Sequence, residues 1–167
     1  MPAESRLILT GAESFPEGLA GRWLDERMSW DIVVDRQGRI SEIIHSMGRV
    51  TVRPGEITKV PLIKGGEGMM RPGEWVLQYD AESREMLVSI DIDSMRFQVG
   101  AQIVEGSCRD VLYGTVSEDG RTWVANWNTY PKYFVTTEEF GHKELPMDEH
   151  LQDMGVITFK RAPEEDK

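Results

Sequence analysis

The chain has 167 residues and a formal net charge of −10, from 19 basic and 29 acidic side chains. This length suits one ordinary domain with its own core, and the acidic balance argues against nucleic acid, whose phosphates need clustered Lys and Arg. The single cysteine, Cys108, excludes a disulfide scaffold and favours a reducing compartment.

Membrane and export signals are also missing from the sequence. The first residues contain no long apolar segment, which predicts no secretory signal, and no apolar run is long enough to span a membrane. We therefore expect a cytoplasmic protein. The expected organisation is a single domain over 1–167, with flexible ends at 1–14 and 162–167.

Apolar and polar residues alternate along most of the chain, and turn sequences interrupt the pattern about every eight to twelve residues. This rhythm is typical of an all-β barrel or sandwich. The predicted strands of the first half are 30–34, 39–45, 49–53 and 57–63. Pro61 cannot donate a ladder hydrogen bond, so the last of these should lie at an edge or contain a bulge. The glycine-rich segment 65–73 is predicted as a loop that could cover a barrel mouth.

The second half contains longer alternating segments. Strands are predicted at 74–79, 85–93 and 96–103, and a hairpin at 110–128. In that hairpin, Glu118-Asp119-Gly120 suits a three-residue loop, which pairs Tyr113 with Ala125. A register with Asp110 opposite Trp127 fits the sequence less well. A short helix is predicted from Pro146 to Met154, ended by Gly155 and followed by a strand at 156–161.

These elements predict an antiparallel up-and-down β-barrel of about 8–10 strands with one short C-terminal helix. Gly21-Arg22-Trp23 resembles the Gly-x-Trp opening of lipocalin-like (calycin) barrels, and 30–38 resembles the second strand and turn of small bacterial members. The resemblance implies that Trp23 packs across the closed end of the barrel under Lys160 or Arg161. It also implies a small, largely apolar molecule in the barrel mouth. The chain departs from the family in lacking a disulfide and a signal peptide, and in its number of strands.

Aromatic residues occupy alternating positions of the predicted central strands, so several could converge inside the barrel. Rings with a few polar groups are the usual lining of a small-molecule site, although such rings also fill cores. The candidate ligand-binding residues are Trp75, Tyr79, Phe97, Tyr113, Trp123, Trp127 and Asn126.

Few residues suggest catalysis. His45, Tyr113 and Asp110 are the candidates for proton transfer in an isomerase- or lyase-like enzyme. No histidine pair or cysteine motif has metal-ligand spacing, so neither a metal nor a cofactor is predicted. Asp91 and Asp93 point the same way on one strand, but they are expected to face water.

Three functions remain open from the sequence. The first is binding of a small, largely apolar or aromatic molecule inside the barrel, and the second is an enzyme that uses the same cavity. The third is a non-catalytic interaction protein that uses the acidic C-terminal segment and the Met69-Met70 loop. Neither nucleic acid nor a membrane is an expected partner, and a homodimer is left open.

Overall fold

The computed structural model describes residues 5–25, 27, 30–45, 50–61, 66–137, 141–144 and 153–162. About three quarters of these residues lie in β-strands, which confirms the all-β class, and none of the described segments is a helix that could cross a membrane. A 3-10 turn, Glu17–Leu19, precedes the second strand. The strands are β1 (Ser5–Thr10), β2 (Gly21–Leu24), β3 (Asp31–Val34), β4 (Ile40–His45), β5 (Val50–Val52), β6 (Thr58–Pro61), β7 (Glu67–Asp80), β8 (Glu85–Val99), β9 (Gln102–Val116), β10 (Thr122–Thr137), β11 (Gly141–Glu144) and β12 (Asp153–Ala162).

All twelve strands belong to one sheet, in the order β1-β7-β8-β9-β10-β12-β2-β3-β4-β5. Strand β6 pairs with β7 and strand β11 pairs with β10, both off this path. The β1–β7 pairing is parallel, and all the others are antiparallel. Most neighbours in the sheet are therefore also neighbours in sequence, as the predicted meander requires.

The sheet curls until its inner face meets itself. His45 on β4 touches Asp110 on β9, although four strands separate β4 from β9 in the sheet order. The two ends of the sheet also approach each other, because Ser5 Oγ on β1 donates a 2.8 Å hydrogen bond to Ile40 O on β4. No backbone ladder joins the end strands in the described part of the chain, so the predicted closed barrel does not form there.

The inner face is filled by large side chains. Trp23, Trp75, Trp123 and Phe159 are completely buried. The rings of Trp123 and Phe159 stack at 4.8 Å, and Trp23 meets Trp123 edge-on at 6.2 Å. Such aromatic pairs contribute about 0.5–1.5 kcal/mol beyond their burial. This end of the curled sheet is therefore packed core.

Segment 65–73 was predicted as a loop, but β7 already begins at Glu67. Pro72 is tolerated in this strand because the β7–β8 ladder shifts register on both sides of it. At Gly73, beside it, the Asp93 carboxylate occupies the space of a β-carbon, so a larger residue there would have to displace that side chain. The predicted Met69-Met70 lid is consequently wrong, and Met70 is 1% exposed.

Strands 85–93 and 96–103 were predicted as separate, but the single strand β8 contains all of the first and the first half of the second. The β8–β9 register shifts between Ile92 and Met95, which lets the apolar residues before and after that point face inward. The turn instead lies at Gly100, whose φ of 61° is a left-handed conformation that favours glycine. Sequence alternation alone could not locate this turn.

The β9–β10 hairpin has a register that the sequence did not predict. Ser117 N donates to Thr122 O at 2.8 Å, which leaves a four-residue loop and pairs Tyr113 with Asn126 rather than Ala125. Asp119 Oδ1 stabilises this loop by accepting from Ser117 Oγ and from the backbone N–H of Arg121. A shift of one residue moves side chains to the opposite face of a sheet, and Tyr113 accordingly lies outside.

The chain ends also differ from expectation. Residues 1–14 were predicted as a flexible end, yet Ser5–Thr10 forms β1. The predicted C-terminal helix falls mostly outside the described residues, but its last positions, Asp153 and Met154, already belong to β12. Ala162 ends that strand, and the rest of the predicted C-terminal tail also lies outside the described residues.

Candidate functional site

A cluster of polar side chains is buried where β4 meets β9 inside the curl. His45 is the last residue of β4 and is 2% exposed, and Asp110 on β9 is 1% exposed. Their contact, His45 Nε2 to Asp110 Oδ2, measures 2.8 Å. An ionised carboxylate can only accept, so Nε2 donates in this pair.

The Asp110 carboxylate also binds groups from β9 and β10. Trp127 Nε1 donates to Oδ1 at 2.9 Å, and Thr129, directly opposite in the ladder, adds a side-chain hydrogen bond. The Cys108 thiol lies 3.6 Å from Oδ2. Both carboxylate oxygens are therefore held by neighbouring side chains, which fixes the orientation of Asp110.

Two indole rings enclose this cluster. The Trp30 ring lies 4.8 Å from the His45 ring and meets Trp127 edge-on at 5.4 Å. Trp30 is 1% exposed, and within the described residues its Nε1 has no hydrogen-bond partner. A buried N–H donor without an acceptor costs about 1–3 kcal/mol, so this position calls for an acceptor.

The cluster shifts the acidity of its members in opposite directions. Burial opposes ionisation of Asp110, but the hydrogen bonds and charge of His45 and the bond from Trp127 outweigh it and lower the pKa of that carboxyl. Burial, together with the neighbouring Asp110 charge, raises the pKa of the Cys108 thiol. Burial, together with the neighbouring Cys108 and Asp110, also raises the pKa of Tyr133. Asp110 is therefore the anionic centre, and Cys108 is a neutral thiol near pH 7.

The structure brings together two of the three predicted catalytic candidates. His45 and Asp110 form the pair just described, whereas Tyr113 lies on the outer face and is 46% exposed. The Tyr113 hydroxyl donates to the Glu85 carboxylate, and this bond raises its pKa. The inward placement predicted for Tyr113 is wrong because the hairpin register differs by one residue.

The other predicted ligand-binding residues divide into three groups. Trp75, Tyr79, Trp123 and Trp127 are buried on the inner face, Phe97 is half-buried, and Asn126 is half-buried opposite Tyr113. The N–H groups of Trp75 and Trp123 donate to the backbone oxygens of Asp91 and Gly114. Of the indoles predicted to bind a ligand, only Trp127 is directed to the polar cluster.

Three members of the site were not predicted from the sequence. Trp30 was expected only to begin a strand, Thr129 was not considered, and Cys108 was considered only as evidence on disulfides and compartment. A usable signal was present, because Cys108, Asp110 and Leu112 alternate along β9 and all three are buried. An inward-facing Cys-x-Asp pair flanked by apolar residues is unusual enough to single out.

A cleft of about 660 Å³ lies mainly on the outer face of β8, β9 and β10, and Cys108 of the buried cluster also lines it. Asp91 and Asp93 were predicted to face water, and both line this cleft. Arg109 donates to both Asp91 oxygens, at 2.6 and 3.1 Å. Two acids therefore face two bases, Arg109 and Lys132, and the cleft has no net charge from these four side chains.

The residues that carried the calycin resemblance do meet. Arg161 lies directly opposite Trp23 in the β12–β2 ladder. Its guanidinium donates to the backbone oxygens of Gly120 at 2.9 Å and Ala20 at 3.1 Å. Trp23 Nε1 donates to Leu19 O at 3.1 Å. These bonds tie the last strand to the 3-10 turn before β2.

Comparison with known proteins finds no matching family model, no matching curated protein and no matching solved structure. The fold and site define the chain only as an all-β protein with one curled sheet. Its distinguishing feature is the buried group of His45, Cys108, Asp110, Trp30 and Trp127.

Proposed function

We propose that the protein binds a small, largely apolar or aromatic molecule inside the curled sheet, at the polar cluster around His45 and Asp110. The observation that carries the proposal is a buried His–Asp pair in contact with Trp30, which packs on His45, and with Trp127, which donates to Asp110. Burying such a pair usually gives no more stability than an apolar replacement would, so stability alone gives little reason to keep it. Perturbed, buried titratable groups concentrate at functional sites.

The cluster supports a ligand with one hydrogen-bond acceptor. Trp30 Nε1 is a buried donor that lacks an acceptor among the described residues, and the rings beside it supply flat apolar contact. A carbonyl or ether oxygen on an aromatic molecule would satisfy this donor. The exposures of His45, Asp110 and Cys108 are 5% or less, so the surrounding side chains must move to admit a ligand. Association should therefore be slow compared with diffusion.

The calycin class is part of the same proposal. Support comes from the complete burial of Trp23, the pairing of Trp23 with Arg161 and the sequential antiparallel strands from β7 to β10. Cytoplasmic location is proposed on the buried, unpaired Cys108. A homodimer stays an open proposal with no described contact behind it.

The test is a tryptophan-fluorescence titration of the intact chain with a panel of indole and naphthalene derivatives bearing one carbonyl. Wild type should show saturable quenching with at least one panel member. Asp110→Asn should weaken that affinity by about tenfold, because it removes the charge that orients His45 and Trp127. The matched control is Tyr113→Phe, which changes an exposed ring and should leave affinity unchanged.

Two outcomes would overturn the binding proposal. One is the absence of saturable quenching with every panel member. The other is equal affinity in wild type and in folded Asp110→Asn, which would place any bound molecule away from the cluster. Native mass spectrometry of the purified chain provides an independent check, since a retained small molecule would appear as a mass adduct.

The His45–Asp110 contact also favours a second candidate, an isomerase- or lyase-like enzyme. A carboxylate that holds an imidazole in one tautomer is a common arrangement for proton transfer. Incubation with carbonyl compounds in deuterated water, followed by proton NMR, should then show exchange next to the carbonyl. The exchange should disappear in His45→Gln and persist in Tyr113→Phe. Exchange that is the same in wild type and His45→Gln would exclude this role.

A further inference from the structure

The His45, Cys108 and Asp110 side chains offer three different donor atoms to one point in space. His45 Nε2, Cys108 Sγ and an Asp110 carboxylate oxygen all lie within 4.8 Å of one another, and all three residues are buried. Two of these distances are 2.8 Å, from Nε2 to Oδ2, and 3.6 Å, from Sγ to Oδ2. His45 lies 63 residues before Cys108 in the sequence, whereas Cys108 and Asp110 form a Cys-x-Asp pair on β9.

We propose that these three side chains form a site for a divalent transition metal of the zinc class, with a fourth position left to an exogenous ligand. Nitrogen, thiolate and carboxylate ligands in a three-plus-one arrangement are typical of open zinc sites. This inference does not depend on the proposed function.

Two of the three donor separations are close to those of a tetrahedral ion, whereas the His45–Cys108 separation, which is within 4.8 Å, has to close to about 3.5 Å. Tetrahedral zinc bonds of about 2.0–2.3 Å place the ligand atoms about 3.3–3.6 Å apart. The Cys108–Asp110 separation already has this value, and the His45–Asp110 separation must widen by about half an ångström, which a side-chain rotation supplies.

The charges also fit. A thiolate and a carboxylate carry two negative charges, which a divalent cation neutralises in the interior, where unpaired charge is most costly. On binding, the Cys108 thiol releases its proton to solvent, and the neutral His45 ring changes tautomer so that its proton lies on Nδ1; Sγ and Nε2 then both present lone pairs. Among the described residues, no Lys or Arg is buried beside the cluster to neutralise these negative charges.

Two neighbours provide the outer contacts that metal sites use. Trp127 Nε1 donates to Asp110 Oδ1 and Thr129 adds a further side-chain hydrogen bond to this carboxylate, while Oδ2 contacts His45 and Cys108. Second-shell donors of this kind fix the orientation of ligating carboxylates. Trp30 Nε1 is the buried donor without a partner in the described chain, and a water or small oxygen ligand on the ion would accept from it.

The test uses cobalt(II) as a spectroscopic substitute for zinc, added to the intact chain after treatment with a chelator. Wild type should bind one equivalent, with visible ligand-field bands of tetrahedral intensity and a near-ultraviolet thiolate-to-cobalt charge-transfer band. Cys108→Ser should lose the charge-transfer band and bind cobalt at least tenfold more weakly. His45→Gln should also weaken binding at least tenfold while keeping the charge-transfer band at saturation.

The matched control is Asp93→Asn, which removes an exposed acid from the outer cleft. This variant should bind cobalt like wild type. The proposal is overturned if wild type binds no cobalt or if folded Cys108→Ser retains the charge-transfer band and affinity. It is also overturned if Asp93→Asn, rather than the cluster variants, abolishes binding, since that would place the ion on the outer face. Near-ultraviolet circular dichroism confirms that each variant is folded.

Ligand binding and metal binding are separated by their readouts. A chain that quenches with an aromatic ligand but shows no cobalt spectrum keeps the proposed function and loses the metal site. A chain with the cobalt spectrum but no ligand in the panel keeps the metal site and loses the proposed function.

Discussion

Replacing Asp110 by alanine tests whether the buried cluster is one energetically coupled unit. The substitution removes the acceptor for His45 Nε2 and for Trp127 Nε1, and it removes the partner of the Cys108 thiol. Each buried donor left without an acceptor lowers the free energy of unfolding by about 1–3 kcal/mol, and removing one partner of a buried charged pair lowers it by about 3–5 kcal/mol. We expect Asp110→Ala to lower the free energy of unfolding by about 4 kcal/mol.

A series of variants separates charge from hydrogen bonding. Asp110→Asn keeps an oxygen that can accept from Trp127 but loses the charge, so its cost should be about 1–2 kcal/mol. Replacing His45 and Asp110 together by leucine removes both polar groups. The double variant should therefore lose less free energy of unfolding than the sum of the losses in the two single leucine variants. The expected coupling energy is about 2–3 kcal/mol.

The assay is urea unfolding at pH 7 followed by tryptophan fluorescence, with a chelator present so that no bound metal contributes. The slope of the free energy against urea should stay constant, so that midpoint shifts report stability alone. Asp93→Asn is the surface control and should change stability by less than about 0.5 kcal/mol. A cost below about 1 kcal/mol for Asp110→Ala, or additive leucine substitutions, would refute the coupling argument.

Three further predictions concern acidity and packing. Because the pKa of Asp110 is lowered in the folded state, the contribution of its ionised form to the free energy of unfolding is complete above about pH 4 and is lost as the pH falls. The free energy of unfolding should therefore fall less steeply with decreasing pH in Asp110→Asn than in wild type, and equal slopes would contradict this prediction. Because burial raises the pKa of Cys108, the contribution of the neutral thiol to the free energy of unfolding is complete below about pH 8.5 and is lost as the pH rises further. Iodoacetamide should accordingly label Cys108 only after unfolding, and rapid labelling of the native chain would argue against its burial. A β-carbon at Gly114 would collide with the backbone oxygen of Val124, whereas one at Gly18 meets nothing within 4 Å. In urea unfolding, Gly114→Ala should lower the free energy of unfolding by about 3 kcal/mol and Gly18→Ala by less than about 0.5 kcal/mol. Equal losses in the two variants would contradict the close approach of the strands at Gly114.

Part of the site was predictable because it depends on residue type and strand period. His45 and Asp110 were selected from the sequence as proton-transfer candidates, and they lie 2.8 Å apart. Their contact itself was not predictable, since it requires β4 to meet β9 across four intervening strands. Trp30 and Cys108 were not selected from the sequence, although the alternation of Cys108 and Asp110 along β9 places these two on one face of the sheet.

The hairpin error shows where local patterns fail. Alternation along β9 gives two faces but does not say which one turns inward, and the loop after Ser117 decides that. A four-residue loop anchored by Asp119 shifts the pairing by one residue, which places Leu112 and Asp110 inside and Tyr113 outside. One extra loop residue thus moved a predicted catalytic residue to the surface.

The sequence by itself determined the all-β class, most of the antiparallel strand order and the inward direction of the β8 residues from Met86 to Ile92. These properties follow from the two-residue period and from turn residues, both of which are local. Only the tertiary structure decided how the sheet curls, that β1 joins β7 in parallel, and that His45, Cys108 and Asp110 meet. Those contacts depend on twist accumulated over many strands and on burial of the Trp-rich face, and no short segment encodes either.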